Sequence, residues 1–192
     1  MGFFISIFVK NKLMANTMTT YVKVGNLNEE TFNKLKSILD KNSDDTSYVD
    51  IVNHVNKLYG TEFTEPDNFM DREWMDENIG TKWITIECDI DEYSSEVDLV
   101  IESSWAVPTQ YLQKIVEFIG GDVVVYGTYE DDGYDPIGAF VYAVGYDDIE
   151  DYDEVETDKM FQDDDYMEEI YDGLYELRDS LYEGYLEVKN EE

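Results

Sequence analysis

The chain has 192 residues and a formal net charge of −33 at pH 7, because 46 residues are Asp or Glu and only 13 are Lys or Arg. Hydrophobic residues make up 43% of it and aromatic residues 15%. These fractions are too high for a disordered acidic chain, so that class of protein is excluded. The charge also argues against direct binding to nucleic acid or to an anionic membrane, since both would be repelled. It favours a folded protein whose partner is basic.

Residues 1–18 are predicted to form a flexible N-terminal extension. They begin with a short apolar run that lacks preceding basic residues and a small-residue cleavage site, so it fits neither a signal peptide nor a membrane span. The single Cys88 cannot form an intramolecular disulfide, and together with the single His54 it cannot build a zinc site. We therefore expect a reducing, cytoplasmic location and no cofactor or metal.

The first half of the chain predicts one strand followed by two helices. Residues 19–24 alternate and are rich in β-formers, and Asn28 is a suitable N-cap for the helix that follows. Residues 47–59 show apolar residues at helical spacing, with His54 beside the apolar face. No partner for His54 is visible in the sequence, so we interpret it as a surface or boundary residue. Residues 61–80 are predicted to be a loop-like insertion that packs through its aromatic residues.

The middle of the chain predicts four strands and one helix. Clean alternation indicates the strands, and Pro108 followed by apolar residues at helical spacing indicates the helix. The predicted strands are 81–89, 97–102, 123–126 and 139–144. With the elements before them, they predict an α+β fold over residues 19–146: a ferredoxin-like α/β sandwich with an antiparallel sheet and one added strand.

Two motifs that contain tryptophan lie beside the predicted hairpin. Gly80-Thr81-Lys82-Trp83 enters one strand, Ser104-Trp105-Ala106-Val107-Pro108 leads from the next strand into a helix, and Tyr129-Glu130 follows a further strand. Together they resemble the YubB-like ferredoxin-like proteins of plasmids and phages, over about residues 19–145. The resemblance implies a ferredoxin-like fold and a phage or mobile-element origin, and it brings no activity or catalytic residues. The acidic turn at 130–133 and the acidic C-terminus depart from the family pattern.

Residues 147–192 are predicted to form an acidic linker and a long amphipathic helix that begins near Asp163. The apolar residues of this helix recur every three or four positions, and so do its acidic residues. At 100° per residue the two series lie on opposite sides, so the helix should dock through the first, on the domain or on a second chain, and display the second. The acidic series is Asp165, Glu169, Asp172, Glu176, Asp179, Glu183 and Glu187.

The sequence contains no motif that indicates catalysis. We find no glycine-rich loop for phosphate, no nucleophile elbow and no His beside a Ser or Cys nucleophile, and the acidic segments around Asp89 and Asp131 do not have the spacing of a calcium-binding loop. Cys88 lies on a predicted strand, where a small core residue is the simpler interpretation. We therefore predict that the protein is not an enzyme.

The acidic helix predicts an inhibitor that imitates the charge of DNA. Like charges three or four residues apart destabilise a helix by a few tenths of a kcal/mol per pair, and few basic residues relieve them here. We expect this face to bind a basic nucleic-acid-binding protein of a host cell, such as a restriction or other defence nuclease, in the cytoplasm. The predicted contact residues are Asp165, Glu169, Asp172, Glu176, Asp179 and Glu183.

Two further interpretations of the acidity are open. In the first, the protein is a structural module: the apolar stripe of the last helix forms a homodimer, and the acidic residues serve solubility alone. In the second, the acidity is an adaptation to high salt, which predicts acidic residues over the whole surface. The near-neutral first 60 residues argue against the second alternative.

Overall fold

The structure is a computed structural model that describes residues 16–39, 48–64, 72–90, 97–153 and 155–191. Its strands form one six-stranded antiparallel sheet in the order β2-β3-β1-β4-β5-β6. They are β1 (Thr17–Gly25), β2 (Ile84–Asp89), β3 (Val97–Ser104), β4 (Val124–Asp131), β5 (Ile137–Ala143) and β6 (Tyr146–Asp151). The helices are α1 (Glu29–Ile38), α2 (Ile51–Tyr59), α3 (Arg72–Asn78), α4 (Thr109–Ile119), α5 (Thr157–Met160) and α6 (Asp164–Glu191). The α+β class predicted from the sequence is confirmed.

The helix boundaries follow from side-chain caps. The Asn28 side chain accepts a hydrogen bond from the Thr31 backbone N–H, and the Thr31 hydroxyl accepts one from the Asn28 N–H, so α1 begins as predicted. Helix α2 begins later than predicted, because the Asp50 carboxylate caps it and Tyr48 forms a β-bridge with Glu87. Strand β1 begins earlier than predicted, at Thr17, so residues 17 and 18 are not part of a flexible extension. Residues 1–15 of the predicted extension lie outside the described residues.

The larger hydrophobic core lies between the sheet and helices α1, α2 and α4. His54 is fully buried in it, so the predicted surface position is wrong. Its Nδ1 lies 2.6 Å from the carbonyl oxygen of Ile38, so Nδ1 carries the proton, and its Nε2 accepts a hydrogen bond from the Tyr111 hydroxyl at 2.8 Å. Burial raises the pKa of Tyr111 well above its usual value. Both ring nitrogens are satisfied, which explains how an imidazole can occupy the core.

The segment predicted as a loop between α2 and β2 contains a short helix. Helix α3 begins at Arg72, and Trp74 on it packs edge-on against Tyr59 and Phe63 with ring centroids 5.4 and 5.1 Å apart. The predicted packing through aromatic residues is confirmed for Trp74, whereas residues 65–71 lie outside the described part. Aromatic contacts of this kind stabilise the helix where its length alone would not.

Helix α6 packs on the second face of the sheet, opposite the other long helices. Its buried residues Ile170 and Leu174 contact the start of β5 at Ile137, and Leu181 and Tyr185 pack over Val124, Ala139 and Val141 of β4 and β5. The segment predicted as an acidic linker contains β6, which pairs antiparallel with β5. This strand was not predicted from the sequence because five of its six residues are exposed and four are acidic, so it shows no alternation of apolar and polar residues.

The fully buried hydroxyl of Thr20 lacks a hydrogen-bond partner among the described residues. We expect Thr20→Val to raise the free energy of unfolding by about 1 kcal/mol, because it replaces an unsatisfied polar group with a methyl group of similar size. The matched control is Thr81→Val, which removes a buried hydroxyl that donates to the Ser104 carbonyl at 2.6 Å and should destabilise by a similar amount. Urea denaturation measures both, and a destabilised Thr20→Val variant would contradict the prediction.

Candidate protein-interaction surface

The predicted acidic residues form a continuous row along the solvent side of α6. All seven, from Asp165 to Glu187, are exposed, and the apolar residues on the opposite side of the helix are turned to the sheet. We call these seven residues the carboxylate row. The helix has 28 residues, so the row lies on a rod about 42 Å long at 1.5 Å per residue. The structure therefore brings together all the contact residues predicted from the sequence.

Two tyrosines of the β6 region hold the acidic edge of the sheet against α6. The Tyr152 hydroxyl occupies the space beside Gly173, where an added Cβ would approach it to 2.2 Å, and the Tyr146 hydroxyl lies beside Gly184. Glycine in a helix costs up to about 1 kcal/mol relative to alanine, and at Gly173 it permits close contact. Beside Gly184 an added Cβ would lie 3.7 Å from the Tyr146 hydroxyl, which is an ordinary contact distance. Gly184 follows Gly173 by eleven positions, which is about three helical turns. The glycine at position 173, within a helical pattern, is the signal in the sequence for the closer contact, although the contact was not among the features predicted from it.

The acidic surface continues from α6 onto β6. Asp148 and Glu150 are exposed and pair with Val141 and Ala139, whose side chains face α6, so both carboxylates lie on the α6 side of the edge strand. A depression of about 600 Å³ joins the end of β6 to the first half of α6. It is lined by Tyr152, Asp165, Glu168, Glu169, Asp172, Gly173 and Glu176. The electronegative surface is thus two elements wide.

Tyrosines lie along the flank of α6 that faces away from β6. The Glu130 carboxylate accepts hydrogen bonds from Tyr171 of α6 at 2.6 Å and from Tyr21 of β1 at 3.0 Å. Burial and the adjacent Glu130 carboxylate raise the pKa of Tyr21 to about 12, and they also raise the pKa of Tyr171. The Arg178 guanidinium lies 5.1 Å from the ring centroid of Tyr175 and pairs with Asp179 at 2.7 Å. This flank therefore links the helix rigidly to the centre of the sheet.

Several tyrosines have a higher pKa in the folded protein than in the unfolded chain. There is therefore an alkaline pH range in which these side chains are protonated when folded and deprotonated when unfolded. Burial raises the pKa of Tyr142 to about 12, and burial with a hydrogen bond to Asp151 raises that of Tyr129. Above pH 10 the folded state therefore binds more protons than the unfolded state, so its stability is complete below pH 10 and falls as the pH rises toward 12. We expect the melting temperature to drop steeply between pH 10 and 11.5, with tyrosinate absorbance at 295 nm rising at the unfolding transition. Tyrosinate absorbance that rises fully before unfolding would contradict this.

The two motifs that contain tryptophan meet at one end of the sheet. The Thr81 hydroxyl donates to the Ser104 carbonyl, and the Ser104 hydroxyl accepts from the Lys82 backbone N–H at 3.0 Å. The Lys82 ammonium lies 5.4 Å from the ring centroid of Trp105, which is exposed. These contacts join the loop before β2 to the end of β3, which gives both motifs a structural role.

The acidic turn after β4 also has a structural role. The buried Asp131 carboxylate accepts hydrogen bonds from the Asn16 side chain at 2.8 Å and from the Gly133 backbone N–H at 2.6 Å. Across the described ranges, no cluster of three or more His, Cys, Asp or Glu side chains is placed to hold a metal ion. The sulfur of Cys88 is buried in the core on β2.

The described helices include none that combines the length and the apolar character needed to cross a bilayer. The exposed features that could contact another molecule are the carboxylate row with the acidic edge of β6, the tyrosine flank of α6 and the sheet surface beside it. Comparison of the chain with models of protein families, with curated proteins and with solved structures found no match.

Proposed function

We propose that the protein is a non-enzymatic inhibitor that imitates the charge of DNA and blocks a basic nucleic-acid-binding protein, such as a restriction or other defence nuclease of a host cell. The observation that carries the proposal is the carboxylate row of α6, which is exposed on a helix whose other side is buried on the sheet. Carboxylates in the row recur about every 5 to 6 Å along the helix, whereas phosphates of one DNA strand recur about every 3.4 Å. Asp148 and Glu150 on the adjoining strand raise the density of charge.

A fixed array of charges loses less conformational entropy on binding than a mobile acidic tail does. The carboxylates of the row are held by the backbone of a docked helix, so binding requires little additional ordering of the chain. A cleft lined by Lys and Arg would be attracted at long range, and its association with the row would be fast and sensitive to salt. These are properties that the phosphate backbone of DNA also has.

A role in solubility or in self-assembly would account for less of the acidic surface. Charged residues on an edge strand such as β6 prevent the sheet from pairing with other chains, but that role needs no row of carboxylates on α6. In the alternative of a structural module, the apolar stripe of the last helix forms a homodimer. That stripe is buried on the chain's own sheet at Ile170, Leu174 and Leu181, which favours the inhibitor.

We further propose that β1 to β4 with α1, α2 and α4 form a ferredoxin-like unit, as in the YubB-like proteins of plasmids and phages, to which β5, β6 and α6 are added. The strand order β2-β3-β1-β4 supports this, because β3 lies between β1 and β2, and β1 lies between β3 and β4. Two interleaved β-α-β units of this kind define the ferredoxin-like topology. The added elements carry both the carboxylate row and the acidic edge of β6. In this proposal the contact surface of the inhibitor therefore belongs to the added elements and not to the ferredoxin-like unit.

A competition assay tests the proposed inhibitor function. A fluorescent DNA duplex is bound to each member of a panel of purified restriction and other defence nucleases, and the protein is titrated in while anisotropy is measured. We expect displacement from at least one nuclease, and direct titration of that nuclease with the protein in the absence of DNA should give a dissociation constant that rises steeply between 50 and 300 mM salt. Polyglutamate of the same total charge is the control for a mobile polyanion. Failure to displace DNA from any nuclease, or equal displacement by polyglutamate, would contradict the proposal.

A further inference from the structure

Helix α6 covers only part of the second face of the sheet. It packs on β4 and β5, and no helix among the described residues lies over the outward side chains of β1, β3 and β2. We call this uncovered area the open half. A groove of about 500 Å³ lies where the open half meets α6. Its walls and floor include Tyr21, Lys23, Asp98, Val100, Tyr175 and Arg178.

The open half has the width of one helix. Neighbouring strands lie about 4.8 Å apart, and helices packed side by side on a sheet have axes about 8 to 10 Å apart. One helix spacing therefore corresponds to two strands, and a helix placed next to α6 would lie over β1 and β3. The groove is floored by these same strands.

The side chains of the open half favour a cationic occupant. Glu87, Asp98 and Glu102 are exposed on it, and Lys23 pairs with Asp98 at 3.1 Å. Next to α6, Tyr21 and Tyr175 are 44% and 46% exposed. The two cations there, Lys23 and Arg178, are each paired with a carboxylate of this chain. A second copy of this chain would bring the same carboxylates face to face and be repelled. The surface therefore suits a helix with apolar residues toward α6 and basic residues toward β2.

The groove is also held open by hydrogen bonds. Glu130 accepts from Tyr21 on the floor and from Tyr171 on the wall, so one carboxylate sets the distance between the sheet and the exposed flank of α6. The pKa values of both tyrosines are raised above the usual value, so both hydroxyls continue to donate to Glu130 in alkaline solution as well as at neutral pH. A preformed groove binds without the cost of ordering its walls.

We propose that the open half seats a basic amphipathic α-helix of the partner, packed beside α6. This inference rests on the proposed function, since it names the element by which the blocked protein is held. Apolar side chains of the partner helix contact Tyr21, Val100 and Tyr175, and its Lys and Arg side chains pair with Glu87 and Glu102. The carboxylate row then occupies the partner's DNA cleft, while the open half binds a helix outside that cleft.

The test uses the full chain and a synthetic helix-forming peptide of about five turns, with Leu on one side and Lys on the other. A peptide of the same composition in scrambled order is the control for charge alone. Titration of the isotope-labelled protein, followed by NMR, should shift signals of residues 19–23 and 98–102, and the scrambled peptide should bind at least about tenfold more weakly. The double variant Glu87→Gln, Glu102→Gln should weaken binding about tenfold, which corresponds to about 0.7 kcal/mol for each lost pair.

The matched control is Glu169→Gln, Glu176→Gln, which removes two charges from the carboxylate row and should change peptide affinity less than about twofold. Equal binding of the two peptides, shifts confined to α6 and β6, or an effect only from the control pair would overturn the docking of a helix on the open half. None of those results would contradict the proposed inhibitor function, because that function is tested separately by the displacement of DNA. If the wild-type protein bound the helical peptide but displaced DNA from no nuclease, the proposed inhibitor function would instead be overturned.

Discussion

Replacing Glu169, Asp172, Glu176 and Glu183 with lysine is expected to weaken binding to the blocked nuclease by at least about 100-fold. Each change removes one attraction to a basic cleft and adds one repulsion, and about 1 kcal/mol for each of four sites corresponds to roughly a thousandfold. The four residues lie in the middle of α6, away from its first turn and from the ion pair of Arg178 with Asp179. The effect on folding should therefore be small. The measurement is the DNA competition assay with a nuclease that the wild-type protein inhibits.

The matched control reverses four exposed acidic residues on the opposite side of the molecule. Lysine at Glu62, Glu73, Glu77 and Glu117 changes the net charge by the same amount but leaves the carboxylate row intact. It should weaken binding no more than about tenfold, through slower association. Equal losses in the two variants would mean that total charge, and not the row, determines binding. Unchanged binding in the first variant would remove the row from the contact surface.

The variant Leu174→Asp is expected to lower the free energy of unfolding by about 5 kcal/mol or more. Leu174 is 1% exposed in the cluster that joins α6 to Ile137 and Met160. Truncation of a buried leucine costs about 2 to 5 kcal/mol, and a carboxylate without a partner adds a further cost of desolvation. Because the total stability of a domain is about 5 to 15 kcal/mol, α6 should leave the sheet or the whole chain should unfold. Urea denaturation and limited proteolysis of α6 measure the two outcomes.

Val188→Asp is the control on the same helix, because Val188 is 47% exposed, and it should cost less than about 1 kcal/mol. Size-exclusion chromatography separates this prediction from the homodimer alternative. If the apolar stripe served assembly, the wild-type chain would be a dimer, and Leu174→Asp would yield a stable monomer. That result would contradict the burial of the stripe within one chain.

A change of salt has opposite effects on folding and on the proposed binding. Screening weakens the repulsion among the carboxylates of this chain, so salt should stabilise the fold, while the same screening weakens attraction to a basic partner. The fold is thus expected to be most stable under the conditions in which inhibition is weakest. This contrast separates a loss of binding from a loss of structure in each of these assays.

Features that depend on neighbouring residues could be predicted from the amino-acid sequence. The carboxylate row from Asp165 to Glu187 and the apolar stripe opposite it could be predicted because the residues of each series recur every three or four positions. Side chains at that spacing share one side of a helix whatever surrounds the helix. The caps at Asn28 and Gly60 and the hairpin of β2 and β3 are local in the same sense.

Features that depend on distant residues were set by the packing of the whole chain. His54 is buried because Tyr111, 57 residues away, satisfies its second nitrogen, and no local pattern indicates that bond. The acidic segment after Tyr146 is a strand because the free edge of β5 supplies backbone partners, which outweighs the low β-propensity of Asp and Glu. Likewise, the docking of α6 on β4 and β5, with none of the other described helices on that sheet face, depends on packing between elements far apart in the chain.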